Sequence, residues 1–220
     1  MKTANVLGIF IALVVIVGAL FWIGKSAPTQ YAGADYKNAT YVIDGQSVTL
    51  VNGHAEVAAA PGSASKTITQ YFGNEATGDL NGDGVPDVGF ILTQTGGGSG
   101  TFYYAVAALK TTNGYQGTDA FLLGDRIAPQ TTEIKNGQLV VNYADRATGE
   151  PMTTQPSIGV STYLNVQGTT LVEAAPVVGV GEQCGGNMTT APQCAAGLHC
   201  APVAGSHLPF GDVGGACVAD

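Results

Sequence analysis

Between residues 40 and 175, apolar and β-branched residues come in short runs broken by Asn-Gly, Gly and Pro. Thr40–Asp44 and Ser47–Val51 read as strands joined at Gly45-Gln46, and Asn52-Gly53 returns the chain along His54–Val57 in a hairpin. Ala58–Ser63 contains Pro61-Gly62 and ends regular structure. Lys66–Phe72 follows as a strand or short helix, Val88–Thr93 as a buried strand, and residues 96–100 as a glycine-rich turn. Thr101–Leu109 is the longest apolar strand, with Tyr103 and Tyr104 expected in the core rather than on a ligand platform. Asn113-Gly114 turns the chain towards Ala120–Leu123, and Asn136-Gly137 joins Thr131–Lys135 to Gln138–Tyr143. Val160–Val166 and Thr169–Glu173 make the last pair, turning at Gln167-Gly168. The expected fold class is mainly β, with a single antiparallel β domain over 40–175 that is long enough to bury a sizeable core.

The pattern changes at both ends. Ala4 to Gly24 is a run of 21 residues without a charge, dominated by Ile, Val, Leu and Ala. At about 1.5 Å per residue such a helix spans a hydrocarbon core of roughly 30 Å. A cleaved signal peptide is the alternative, but its apolar region is shorter, about 7–15 residues. Phe21 and Trp22 sit where aromatic rings favour the interface. The expectation is a single-pass anchor over 1–24, cytoplasmic at its start, followed by a tether over 25–39, with the bulk of the chain extracytoplasmic at the cell membrane.

One polar stretch interrupts the strands. In Asp79-Leu80-Asn81-Gly82-Asp83-Gly84-Val85-Pro86-Asp87, side-chain oxygens recur at positions 1, 3, 5 and 9, and the Val85 carbonyl is available at position 7. Ca²⁺ takes six to eight oxygen ligands in a flexible cage. Gly84 holds position 6, where the chain must turn sharply, and Phe90 stands at position 12, so the bidentate Glu of an EF-hand is missing. Three carboxylates within nine residues repel one another without a cation. A plain Asn-Gly/Asp-Gly turn is the bland alternative. The residues point instead to calcium as cofactor, held by Asp79, Asn81, Asp83, Val85 and Asp87.

Phe72-Gly73-Asn74-Glu75-Ala76-Thr77-Gly78, continued by this loop and Val88, resembles one FG-GAP repeat over residues 71–92. That family places calcium loops between β-strands in integrin-type propellers and in bacterial surface proteins. No second copy occurs here, so the resemblance implies a cation site and not a propeller.

All four cysteines, Cys184, Cys194, Cys200 and Cys217, lie in the last 37 residues. In an exported chain an even, clustered set reads as two disulfides, with three pairings open. Zinc favours closely spaced cysteine pairs, whereas nine, five and sixteen residues intervene here. Gln183-Cys184-Gly185-Gly186, Gln193-Cys194 and Gly197-Leu198-His199-Cys200 resemble the start of a fungal-type cellulose-binding module, and equally other small secreted disulfide modules. The last spacing is too long for the former, and of its row of sugar-stacking aromatics only Phe210 is present. The four-cysteine module is assigned to 176–220.

Charge narrows the partners. Without Lys2 and Lys25 the chain keeps 6 basic against 16 acidic side chains, a formal charge of −10, which repels nucleic acid. Its histidines, His54, His199 and His207, sit in no nucleophilic motif. Asp125-Arg126 and Asp145-Arg146 read as structural charge partners, and Glu133 and Glu150 do not stand out as glycosidase carboxylates. The sequence favours a membrane-anchored, extracytoplasmic calcium-binding protein with a binding or adhesion role towards a cell-surface glycan or protein. A surface hydrolase acting on glycans or peptides is the second reading.

Overall fold

The computed structural model describes residues 35–188, 190–202 and 214–220, which belong to one compact unit. The expected membrane segment over 1–24 and most of the tether lie outside the described residues, as do His207 and Phe210. Among the described residues no helix is long and apolar enough to cross a membrane.

A six-stranded sheet forms the centre. It contains β3 (His54–Ala58), β4 (Lys66–Gly78), β5 (Asp87–Thr95), β6 (Phe102–Thr111), β7 (Gly114–Gly117) and β8 (Phe121–Asp125). All its pairings are antiparallel, and β6 divides one edge between β7 at its end and β8 at its start. Successive side chains in a strand point to opposite faces. In β5 and β6 both faces are covered, which explains their nearly continuous apolar runs. Val88, Phe90 and Leu92 join Tyr104, Val106 and Ala108 in one core cluster, whereas Ile91 joins Ala105, Ala107 and Leu109 in another.

The first cluster is roofed by the hairpin of β1 (Thr40–Ile43) and β2 (Gln46–Thr49) together with a 3₁₀ turn at Tyr36–Asn38. The rings of Tyr36, Tyr41 and Tyr71 surround Phe90 at centroid distances of 5.5, 5.6 and 5.5 Å. Residues 36–39, expected in the tether, therefore belong to the domain, and Ala39 is fully buried. The hairpin turns at Asp44-Gly45, one residue before the expected position, with φ of 50° and 77°.

The second cluster is roofed by a four-stranded sheet in the order β12-β11-β10-β9. These strands are β9 (Ala128–Lys135), β10 (Gln138–Asp145), β11 (Ile158–Gln167) and β12 (Thr170–Glu173). Leu139, Val141, Tyr143, Leu164 and Leu171 supply its inner face. The sheets approach closely at Gly89, where a Cβ would stand 2.3 Å from Leu139 Cδ1. Thr118–Ala120 ties the layers together. The Val42 amide donates to Thr118 O, the Ala120 amide to Val42 O, and the Asp119 amide to Thr169 O.

Two departures concern elements. β4 runs unbroken as a 13-residue strand, so the helical alternative for 66–72 does not occur. Its irregular pairing at Tyr71–Ala76 accommodates a bulge at Gly73-Asn74 (φ 119° and 52°). β7 was not expected, because Gly114–Gly117 carries too little apolar character to show as a strand.

The cysteine module is built from β14 (Gln183–Cys184), β16 (Leu198–Pro202) and β17 (Gly215–Ala219). β13 (Val177–Val178) pairs in parallel with β15 (Gln193–Cys194) beside it. The disulfides join Cys184 to Cys200 and Cys194 to Cys217, which resolves the three open pairings. The link to the β domain is docked. Buried Gln138 donates to Asn165 Oδ1 and Ala175 O, and accepts from the Val177 amide. Asn136 Nδ2 donates to Val177 O, and Lys135 pairs with Glu182 at 2.7 Å.

Candidate metal centre

The loop 79–86 joins β4 to β5 across the end of the central sheet. Leu80 is 5% exposed and belongs to the second core cluster, so the loop is pinned at its second position. From there the chain folds around its own side-chain oxygens. Asp79 Oδ1 accepts from the Gly82 amide at 2.7 Å and Oδ2 from the Gly84 amide at 2.8 Å. Asn81 Oδ1 accepts from the Asp83 amide at 3.0 Å, and Asp83 Oδ1 from the Val85 amide at 2.8 Å. The Asn81 and Asp83 bonds are Asx turns, in which the side chain bonds the backbone two residues on, whereas Asp79 reaches three and five residues on. Gly82 and Gly84 have φ of 80° and 79°, left-handed values that favour glycine. At Gly84 the backbone conformation alone sets the requirement: a Cβ there would meet nothing within 4 Å.

Asp87 differs from the others. It is fully buried, its Oδ2 accepts from the Leu80 amide at 3.0 Å and its Oδ1 from the Lys110 amide at 2.8 Å. One carboxylate thus fastens the loop to β6. Burial pushes its pKa up, the Leu80 and Lys110 amides pull it down, and the charges of Asp83 and Asp79 add to the rise. Asp79 is held below the usual carboxylate range, chiefly by the Gly84 amide and further by Gly82, against a smaller effect of burial. Asn81, Asp83 and Val85 are exposed.

Among the described residues, three His, Cys, Asp or Glu ligand atoms all within 4.8 Å of one another occur at Cys184, Cys194 and Cys217, not in this loop. Those sulfurs are consumed in the two disulfides, which leaves no thiolate for zinc. The loop carboxylates stand further apart because each is turned onto backbone amides. The donor set nevertheless fits a hard cation, since every side chain offers oxygen and each hydrogen-bonded oxygen keeps a second lone pair.

The remaining candidates are structural. Asp125 takes the Arg126 side chain at 3.0–3.2 Å and the Thr101 amide at 2.8 Å. Burial pushes the Asp125 pKa up, but these bonds outweigh it and leave the carboxyl below its ordinary range. Arg146 spends its guanidinium on the carbonyls of Thr154, Asp125 and Arg126. His54 is exposed beside Glu56, and His199 meets Asp220 at 2.9 Å on the surface. Glu133 is exposed, and Glu150 accepts from the Ala147 amide. A shallow groove lined by Glu173, Ala174, Ala175, Met188, Thr190, Ala191 and Gln193 holds a single carboxylate and no histidine.

Sequence reasoning missed the two amides that hold Asp87. Lys110 lies 23 positions away, and the only local hint was Leu80, the apolar residue in an otherwise polar turn. No protein-family model matches the chain, and no curated protein and no solved structure matches it.

Proposed function

We propose that this chain is an extracytoplasmic calcium-binding protein, anchored in the membrane by residues 1–24, with a binding or adhesion role at the cell surface. One observation carries the calcium reading: among the described residues, none of the carboxylates of Asp79, Asp83 and Asp87 is paired with a lysine or arginine. Carboxylates without such a partner, among them Asp44, Asp119 and Glu133, occur elsewhere in the described residues, but here three fall within nine positions. Three uncompensated charges on one loop, two of them acting on the third, favour a cation among them. Asp79, Asn81, Asp83 and Asp87 would hold it through side-chain oxygens and Val85 through its carbonyl, as in the FG-GAP repeat that the loop resembles. The ion would draw the exposed residues towards Asp87, already fixed to β6. Two disulfides support an oxidising compartment outside the cytoplasm.

An ion that binds only the folded state stabilises it, by about 2.7 kcal/mol at a hundredfold excess over Kd. Chelation is expected to lower the Tm and calcium to restore it. Asp83→Ala should abolish this response and leave a folded β domain, whereas Glu133→Ala on β9 should retain it. Identical wild-type melting curves in chelator and in calcium would reduce the loop to a turn. The anchor is tested by fractionation: full-length chain should sediment with membranes, and recovery of a chain cleaved near Ala27 would replace the anchor by a signal peptide.

A further inference from the structure

Four Asn-Gly pairs occur in the chain, at Asn52, Asn81, Asn113 and Asn136. In such a pair the glycine nitrogen, which no side chain shields, attacks the asparagine side-chain carbonyl carbon. Three of the pairs lie in hairpin turns. Gly53 N–H donates to the neutral carbonyl of Lys37, Gly114 sits in the β6–β7 ladder opposite Thr111, and the Asn136 amide is held by Val177 O. Asn81 is exposed and its surroundings are different. The Gly82 N–H points at a carboxylate, Asp79 Oδ1, at 2.7 Å. The Asp83 N–H donates to Asn81 Oδ1 at 3.0 Å, and Asn81 Nδ2 donates to Asp83 Oδ2 at 3.2 Å. What sets Asn81 apart is therefore the carboxylate on the attacking nitrogen and the amide on the carbonyl oxygen, not free space, since a Cβ would meet nothing within 4 Å at either Gly82 or Gly137.

We infer that Asn81 is a self-modifying residue, which loses its side-chain amide ahead of the other three. Asp79 takes the proton from Gly82 N as that nitrogen bonds to Asn81 Cγ, and the Asp83 amide stabilises the charge that develops on Oδ1. The Cγ–Nδ2 bond then breaks, and the proton leaves with the amine as ammonia. The product is a five-membered succinimide. Solvent water opens it at Cγ to give aspartate, or at the main-chain carbonyl to give isoaspartate. The sum is amide plus water to carboxylate plus ammonium, with no oxidant or reductant.

The modification stands apart from the calcium reading, but its consequence rests on that reading. Aspartate at position 81 would raise the ligand charge, one of the levers that sets calcium affinity. Isoaspartate would lengthen the main chain by a methylene between Asp79 and Asp83 and spoil the loop. An ion on Asp79 would weaken it as a base, so calcium should preserve Asn81. The loop then carries a slow, irreversible clock that runs when it is empty.

The test is incubation of the full chain at mildly alkaline pH, in chelator or in calcium, followed by peptide mapping with isoaspartate detection. In chelator Asn81 should convert about tenfold or more faster than Asn52, Asn113 and Asn136. Asp79→Asn should bring it down to their rate. Equal rates at all four sites in the wild type, or an unchanged or faster rate in the variant, would overturn the inference. If Asn81 leads in chelator and calcium has no effect on its rate, the self-modification stands and the calcium reading falls.

Discussion

Single side chains in the loop divide into two kinds, and substitution should separate them. Asp87 satisfies two backbone amides in the interior, so Asp87→Ala leaves both without their acceptor. In chelator this should cost about 1–3 kcal/mol in urea unfolding, while Asp83→Ala at the exposed rim should cost little. Equal losses for the two variants would show that the loop has no structural half. Asp125 offers a test by pH. Its folded-state pKa lies below the ordinary value, so its stabilisation is present above the unfolded pKa of about 3.9 and is lost as pH falls through the folded value. Asp125→Asn should be about 1 kcal/mol less stable at neutral pH and no different from wild type in strong acid. A difference that persists in acid would assign the effect to packing instead.

At the scale of elements, β5 does most of the organising. Its pleat sends Phe90 into one core and Ile91 into the other, and Gly89 lets β10 approach from the second sheet. Gly89→Ala should therefore be destabilising although alanine suits a strand better than glycine. Its Cβ would fall 2.3 Å from Leu139 Cδ1, and forced repacking in a full core costs typically about 1–3 kcal/mol. Chemical denaturation measures this. A neutral or stabilised variant would mean that Leu139 rotates away freely. The same strand begins at Asp87, so the candidate metal loop runs directly into a strand whose first six residues are all buried.

For the molecule as a whole, the β domain and the cysteine module rest on different forces. Two sheets and a hairpin bury the aromatic and aliphatic clusters, whereas the module has the disulfides at its centre, with Cys184 and Cys217 fully buried. Loops of 16 and 23 residues closed by disulfides are worth about 3 kcal/mol each. Reductant should accordingly open the described strands of the cysteine module, β14 to β17, to protease while the stretch from β1 to β12 stays resistant. Simultaneous digestion of both would mean that the module, through Gln138 and the linker it holds, is required for the β domain itself.

The strands and their turns were legible in the chain because they follow from local chemistry. Short apolar and β-branched runs and Asn-Gly turns mark β9–β10 and the strands around Asn52, and left-handed φ at Asn52 and Asn136 agrees with that signal. The oxygen spacing of the loop and the clustering of the cysteines are equally local features. The outcomes that needed the tertiary structure all join residues distant in sequence. Cys184–Cys200 and Cys194–Cys217 are one of the three pairings that spacing left open, and strand neighbourhood alone does not select them, since Cys200 stands opposite Cys217 across β16 and β17 without bonding to it. β7 exists because β6 offers it an edge, and Tyr36 is ordered because Phe90 and Tyr115 receive it. The role of Asp87 is the clearest case. Its sequence position marks it as a ninth-position ligand, but only the folding of β6 alongside β5 brings the Lys110 amide to its carboxylate and buries it. Spacing along the chain sets which atoms a turn can present, while burial and long-range partners are properties of the packed sheets.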